Sequence, residues 1–219
     1  IDWYMVSEEF STVGNAPGIY PDVALLLSSL IVSDDVRSVL ELGSGSSTVF
    51  IAQACGKSQV HKRYFTVEAD SEWADKTLRL WGQIAEKKGI PSEKHLPLSI
   101  ASCNFPEHTA PKPHRIPFPD FLPNMVWIDG GIIPVTQDGE GQDRVKTCII
   151  YYHELKDAIL LFDDAQADTS MGIELRSFLT QIGRDIDYVF NPTGRGDRHI
   201  LISLPKDKKH VLEIIKACE

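Results

Sequence analysis

The residues best suited to chemistry are glycines and carboxylates placed where strands should end. The run VLELGSGSST, Val39 to Thr48, is a short apolar strand pattern, then Gly43 and Gly45, then a helical pattern. Glycines there permit positive φ and close backbone approach to a ligand. The helix that follows offers unpaired N–H groups at its start. Glu41 precedes this turn, with Ser44 inside it and Thr48 just beyond it. Glu68 closes the next strand-like run, YFTVE, and Ala69 follows it. An acid roughly twenty residues past such a turn can accept both hydroxyls of a ribose. Asp129, in VWIDGG, and Asp163–Asp164, in ILLFDDA, end two later apolar runs. Open α/β sheets bind ligands along that edge. Three carboxylates meeting there would repel one another without a proton or cation between them. An all-oxygen set of that kind suits Mg²⁺.

The elements that must carry these residues alternate between two periods. Val23, Leu26, Leu27 and Leu30 fall at helical spacing after Pro21 and Asp22. Val36–Leu42 reads as a strand, Thr48–Cys55 as a helix ended by Gly56, and Tyr64–Val67 as a strand. Trp73, Thr77, Leu80, Trp81 and Ile84 mark one face of a long helix with Ser71 as its N-cap and Gly89 and Pro91 as its stop. Leu96–Ala101, Met125–Ile128 and Ala158–Phe162 read as further strands. Helical stripes run through Val145, Cys148, Ile149 and Tyr152, and through Leu175, Phe178, Leu179 and Ile182. Tyr188–Phe190 and His199–Ser203 flank a turn-rich segment too short for a crossover helix, so they should pair antiparallel. A C-terminal helix is expected from about Lys208. Strand–helix alternation predicts an α/β fold, doubly wound around a mostly parallel, Rossmann-like sheet.

Residues 1–219 read as one domain, with an N-terminal helical segment over 1–35. The proline-rich stretch 104–123, carrying His108, His114 and Arg115, is too long for a routine connection and reads as a lid or insertion. Gly130–Gly141 is a second insertion, followed by Arg144. The net charge of −9 argues against a broad nucleic-acid footprint, and the short Lys206–His210 cluster reads as a solvated helix start. No apolar run approaches the length needed to span a bilayer. The four cysteines form no CxxC pair, so reduced thiols in a cytoplasmic protein are the simplest reading.

A dinucleotide would use the same strand–turn–helix–acid geometry. The third position of the GxGxxG pattern, however, is Thr48, and Glu41 stands before the turn. These residues resemble motif I of class I S-adenosylmethionine-dependent methyltransferases, and YFTVEADSEW is similar to that family's second motif. VWIDGG and ILLFDDA resemble the ends of its fourth and fifth strands. The resemblance implies a seven-stranded sheet closed by an antiparallel hairpin. It implies S-adenosylmethionine as cofactor, held by Glu41, Gly43, Ser44, Gly45, Thr48, Glu68, Ala69 and Asp129, with Ser102 and Cys103 beside the adenine. It also implies methyl transfer to a small-molecule hydroxyl, with Asp129, Asp163 and Asp164 at the acceptor.

The arrangement is similar to the metal-dependent O-methyltransferases of the catechol type, which carry an Asp after strand four and an Asp-Asn pair after strand five. Here the pair is Asp163–Asp164, so the Asn is replaced and Mg²⁺ becomes an open expectation. The other reading is that Asp129 orients cofactor or substrate while the Asp163–Asp164 pair caps the following loop. Trp73 either packs in the core or walls the adenine. The Tyr152–Lys156 spacing of short-chain dehydrogenases is present, but Tyr152 lies on an apolar helical stripe and reads as packing. A nicotinamide-dependent oxidoreductase and a non-catalytic cofactor-binding module in an assembly are the competing functions, and homo-oligomerisation stays open.

Overall fold

The computed structural model describes residues 19–68, 70–87, 100–102, 120–130, 148, 155–165, 170–194 and 199–219. The elements in chain order are α1 (Pro21–Val32), β1 (Ser38–Leu42), α2 (Ser46–Lys57), β2 (Arg63–Glu68), α3 (Ser71–Lys87) and β3 (Ile100–Ser102). They continue with β4 (Met125–Ile128), β5 (Ile159–Ala165), α4 (Ser170–Gln181), β6 (Tyr188–Phe190) and β7 (His199–Ser203). A 3₁₀ turn over Lys206–Val211 and the short α5 (Leu212–Lys216) close the chain.

The strands form a mixed sheet in the order β3-β2-β1-β4-β5-β7-β6. The pairs from β3 to β5 are parallel; β5–β7 and β6–β7 are antiparallel. The chain winds outward from β1 to β3, then returns to lay β4 against the other side of β1. That reversal opens a crevice beyond the carboxyl ends of β1 and β4.

β1 and β4 are buried along their whole length because helices cover both faces of the sheet. One apolar cluster joins α1, α2, α3 and the C-terminal helix to Val39, Met125, Trp127, Ile159 and Leu161. The other joins α4 and Leu155 to Leu40, Leu42, Val126, Ile128, Leu160 and Phe162. Alternate residues of each strand thus serve opposite layers. Among the described residues no helix is long and apolar enough to cross a membrane.

Local details depart from the sequence reading. The N-cap of α3 is Asp70, not Ser71: its Oδ1 accepts the N–H groups of Glu72 and Trp73 at 2.8 and 3.2 Å. The acid outcompetes the adjacent serine because a carboxylate there also meets the positive end of the helix. α2 runs through Gly56 to Lys57, since a glycine near a helix end is tolerated when the chain continues to bond. β5 extends to Ala165, three residues beyond its apolar run, because the partner β7 keeps pairing past Phe162 through a bulge. The stripe at 145–152 lies outside the described residues except for Cys148, as do most of the stretches 104–123 and 130–141.

Candidate active site

The glycine turn is built by two different demands. Gly43 has φ +88°, and a Cβ there would stand 2.6 Å from the Gly130 nitrogen and 2.9 Å from its Cα. Neither backbone can yield, because the N–H groups of Asp129 and Gly130 both donate to the Leu42 carbonyl, at 3.0 and 2.9 Å. The turn after β1 is therefore locked against the end of β4, at the point where the strand order reverses. Gly45 differs. Its φ of 164° is extended backbone open to any residue. Among the described residues, a Cβ there would meet only the Trp73 indole nitrogen, at 3.9 Å. Those residues leave that side of Gly45 clear.

Glu68 ends β2 at 4% exposure, and its carboxylate reaches across to the turn. Oε2 accepts the Ser44 N–H at 2.6 Å and the Ser44 hydroxyl at 2.9 Å, while Oε1 accepts the Asp70 N–H at 3.0 Å. A carboxylate offers about four acceptor positions. Three are used here, one by a hydroxyl that can rotate away. Turn and acid, separated by a whole helix in sequence, form one unit.

Glu41 lies within β1, ahead of the turn. It is fully buried, on the face of β1 shared with Val39, and points toward α2 rather than into the crevice. Four hydroxyls donate to it: Ser47 to Oε1 at 2.7 Å, Thr48 and Thr66 to Oε2 at 2.9 Å each, and Tyr64 to Oε2. Thr48 Oγ1 in turn accepts the Gly45 N–H at 2.9 Å. A relay therefore runs from the buried acid to the turn backbone, and Thr48 earns its place in the pattern as the middle of that relay. Burial pushes the Glu41 carboxyl up to about 7, against the pull of the four hydroxyls. Burial, together with Glu41 itself, also raises the Tyr64 phenol.

Asp129, Asp163 and Asp164 lie at the same sheet edge. β4 and β5 pair through Ile128 and Phe162, so Asp129 and Asp163 come one step later on neighbouring strands. Asp163 is buried and Asp164 half-buried. Asp164 sits in the β5–β7 bulge with φ +51°, the only non-glycine positive φ among the described residues. Bulges of this kind re-aim side chains, and such backbone strain gathers at functional sites. Among the described residues no group of three or more His, Cys, Asp or Glu side chains is placed to hold a metal ion. Asp129, Asp163 and Asp164 share that edge, and no chemistry is derived through Mg²⁺.

Ser102 ends β3, paired with Glu68 across the sheet. Ala69 and Cys103 lie outside the described residues, as do His108, His114, Arg115, Arg144 and Tyr152. Trp73 belongs to neither apolar cluster; its indole N–H donates to the Ser44 carbonyl at 2.6 Å. The sequence reading offered packing or an adenine wall and missed this bond. It also missed Ser47, Tyr64 and Thr66. The β1–β2 register pairs Glu41 with Thr66 and leaves Tyr64 on the same face, so alternation along two adjacent strands carried that signal.

No family model matches the sequence, and no curated protein sequence does either. Solved structures do. The chain is similar to cofactor-bound Rv0187 from MTB, at 15% identity and a TM-score of 0.57, over 93% of this chain and 89% of that one. It is similar to the O-methyltransferase TomG from Streptomyces achromogenes, solved in complex with SAM, at 16% identity and a TM-score of 0.56, over 92% and 88% of the two chains. The O-methyltransferase from Bacillus cereus in complex with SAH matches at 15% identity and a TM-score of 0.56, over 92% and 91%. Likeness of this extent establishes architecture, and the chain has the α/β fold that these solved structures share.

Proposed function

We propose that the protein is an S-adenosylmethionine-dependent methyltransferase acting on a hydroxyl of a small molecule. The observation that supports this best is the lock between Gly43 and Gly130 at the strand-order reversal. In this reading that lock, with the Ser44–Glu68 bonds, holds the glycine turn, Glu68 and Asp129 around one cofactor. In this reading residues 1–219 form one catalytic domain, with the β6–β7 pair as its terminal hairpin and 104–123 as its lid. The net charge of −9 favours a small acceptor over a nucleic acid. Cys55, Cys148 and Cys218 stand as buried thiols, which suits a reducing, cytoplasmic setting.

The parts divide as follows. Gly43, Ser44 and Gly45 present backbone to the cofactor, and the open side of Gly45 admits it closely. Glu68 accepts the ribose hydroxyls, with Ala69, Ser102 and Cys103 flanking the base. Glu41 and Thr48 are positioning residues that hold the turn from below. When bound, the cofactor supplies a methyl group on a sulfonium, whose departure leaves a neutral thioether. The chain must then align the acceptor oxygen in line with that bond and take up the hydroxyl proton. Asp129 is assigned the proton, with Asp163 and Asp164 orienting the acceptor.

Calorimetric titration with S-adenosylhomocysteine and with NAD tests the cofactor. Heat with the first and none with the second is the expected result; the reverse would replace this reading with an oxidoreductase. Asp129→Ala should abolish methylation of phenols or sugars while S-adenosylhomocysteine still binds. Loss of cofactor binding alone would remove the acceptor role from Asp129.

A further inference from the structure

Ser44 is held at every polar atom it owns. Its N–H and hydroxyl go to Glu68, its hydroxyl also lies 3.3 Å from the Thr77 hydroxyl, and its carbonyl accepts the Trp73 indole N–H. This residue sits between two glycines, where the free chain has the most backbone freedom to lose. Two of its four bonds come from α3, an element that contributes nothing to the motif itself.

We propose that Trp73 and Thr77, one helical turn apart on α3, are positioning residues that hold the glycine turn in the shape that receives the cofactor. The inference rests on the methyltransferase reading for the identity of that ligand. Residues at i and i+4 face the same way, and here that face looks at Ser44. Thr77 is fully buried, so its hydroxyl has Ser44 as the partner that justifies it. Trp73 is half-buried and, among the described residues, outside both apolar clusters, while its indole N–H donates to the Ser44 carbonyl. The helix is registered to the same acid: Asp70 caps it, and the Asp70 N–H donates to Glu68. Acid, turn and helix start are therefore interlocked, and a shift of α3 by a fraction of a turn would carry the Ser44 carbonyl with it. Trp73 then acts on the ligand through Ser44, by fixing the peptide between Ser44 and Gly45.

The test uses the full chain and three variants: Trp73→Phe, which keeps a ring and loses the donor; Thr77→Val, which keeps the shape and loses the hydroxyl; and Thr77→Ser, which restores it. Site-resolved amide exchange at Ser44 and Gly45 reads the turn without any ligand, and calorimetry with S-adenosylhomocysteine reads its consequence. Trp73→Phe should speed exchange at Ser44 about tenfold and weaken S-adenosylhomocysteine about tenfold, the worth of one good hydrogen bond. Thr77→Val should act in the same direction by about threefold, and Thr77→Ser should return both values to wild type. Exchange at Ser44 within twofold of wild type in Trp73→Phe would overturn the proposal. So would faster exchange spread evenly along α3, which marks general loosening, or faster exchange at Ser44 with unaltered affinity. If the wild-type chain binds no S-adenosylhomocysteine, the cofactor reading fails, while exchange at Ser44 still decides whether α3 holds the turn.

Discussion

Two glutamates, Glu41 near the end of β1 and Glu68 at the end of β2, both serve the same glycine turn, and they do so in opposite ways. Glu41 is sealed on the α2 side of the sheet and bonds only side-chain hydroxyls. Glu68 bonds main-chain N–H groups of Ser44 and Asp70 at the sheet edge, with the Ser44 hydroxyl as its one side-chain donor among the described residues. A carboxylate surrounded by hydroxyls in a dry layer sets the shape of the turn. One at the edge with an exchangeable donor can serve a ligand. Glu41 lies within β1, beneath α2, whereas Glu68 is the last residue of β2, beside the turn.

The contrast can be broken most forcefully at Glu41. Glu41→Ala strips a partner from four buried hydroxyls and opens a cavity, so chemical denaturation should show a loss of about 3 kcal/mol or more. A loss below about 1 kcal/mol would mean the hydroxyls find other partners. Glu68→Ala should instead show itself in binding, with S-adenosylhomocysteine weakened about 100-fold, equivalent to about 2.7 kcal/mol. Equal effects of the two variants on stability and equal effects on binding would erase the distinction.

Acidity sharpens it further. Glu41 titrates at about 7 in the folded chain against 4.5 ordinarily, so the folded state holds this proton more tightly than the unfolded state. Its contribution is full below about pH 4.5 and is lost as pH rises toward 7, because ionising the buried carboxyl costs more in the fold than in water. Stability should therefore fall between pH 5 and pH 8 by about 1–3 kcal/mol, and Glu41→Gln should flatten that slope. An identical slope in the variant would show that other groups govern it.

The smallest effect is expected at a second tryptophan. Trp127 is fully buried in β4, yet among the described residues its indole N–H has no hydrogen-bond partner, unlike that of Trp73. Trp127→Phe loses ring volume but relieves an unsatisfied donor, so its stability should stay within about 1 kcal/mol of wild type. A larger loss would show that volume outweighs the donor there.

Much of this was legible in the chain itself. Alternating periods placed β1, β2, β4 and the helices between them, and the glycine turn with an acid after the next strand marked the crevice. Boundaries failed where a neighbour decided them, as at Asp70, which capped α3 in place of Ser71, and at Ala165, carried into β5 by β7. The three aspartates show the same limit. Sequence put three aspartates at strand ends, but only the bulge at Asp164 and the packing of β4 on β5 set where their carboxylates lie.

Local physics made Gly43 a turn residue and Glu68 a strand-end acid, because strand length, turn chemistry and helix period are written in neighbouring residues. What the acids touch was decided at long range. Which way Glu41 faces depends on the register of β1 against β2 and on α2 folding back over them. That Ser44 is gripped by Trp73 depends on where α3 docks. Hydrogen bonds between residues far apart in sequence exist only once the sheet and its helices are assembled, and no spacing along the chain encodes them.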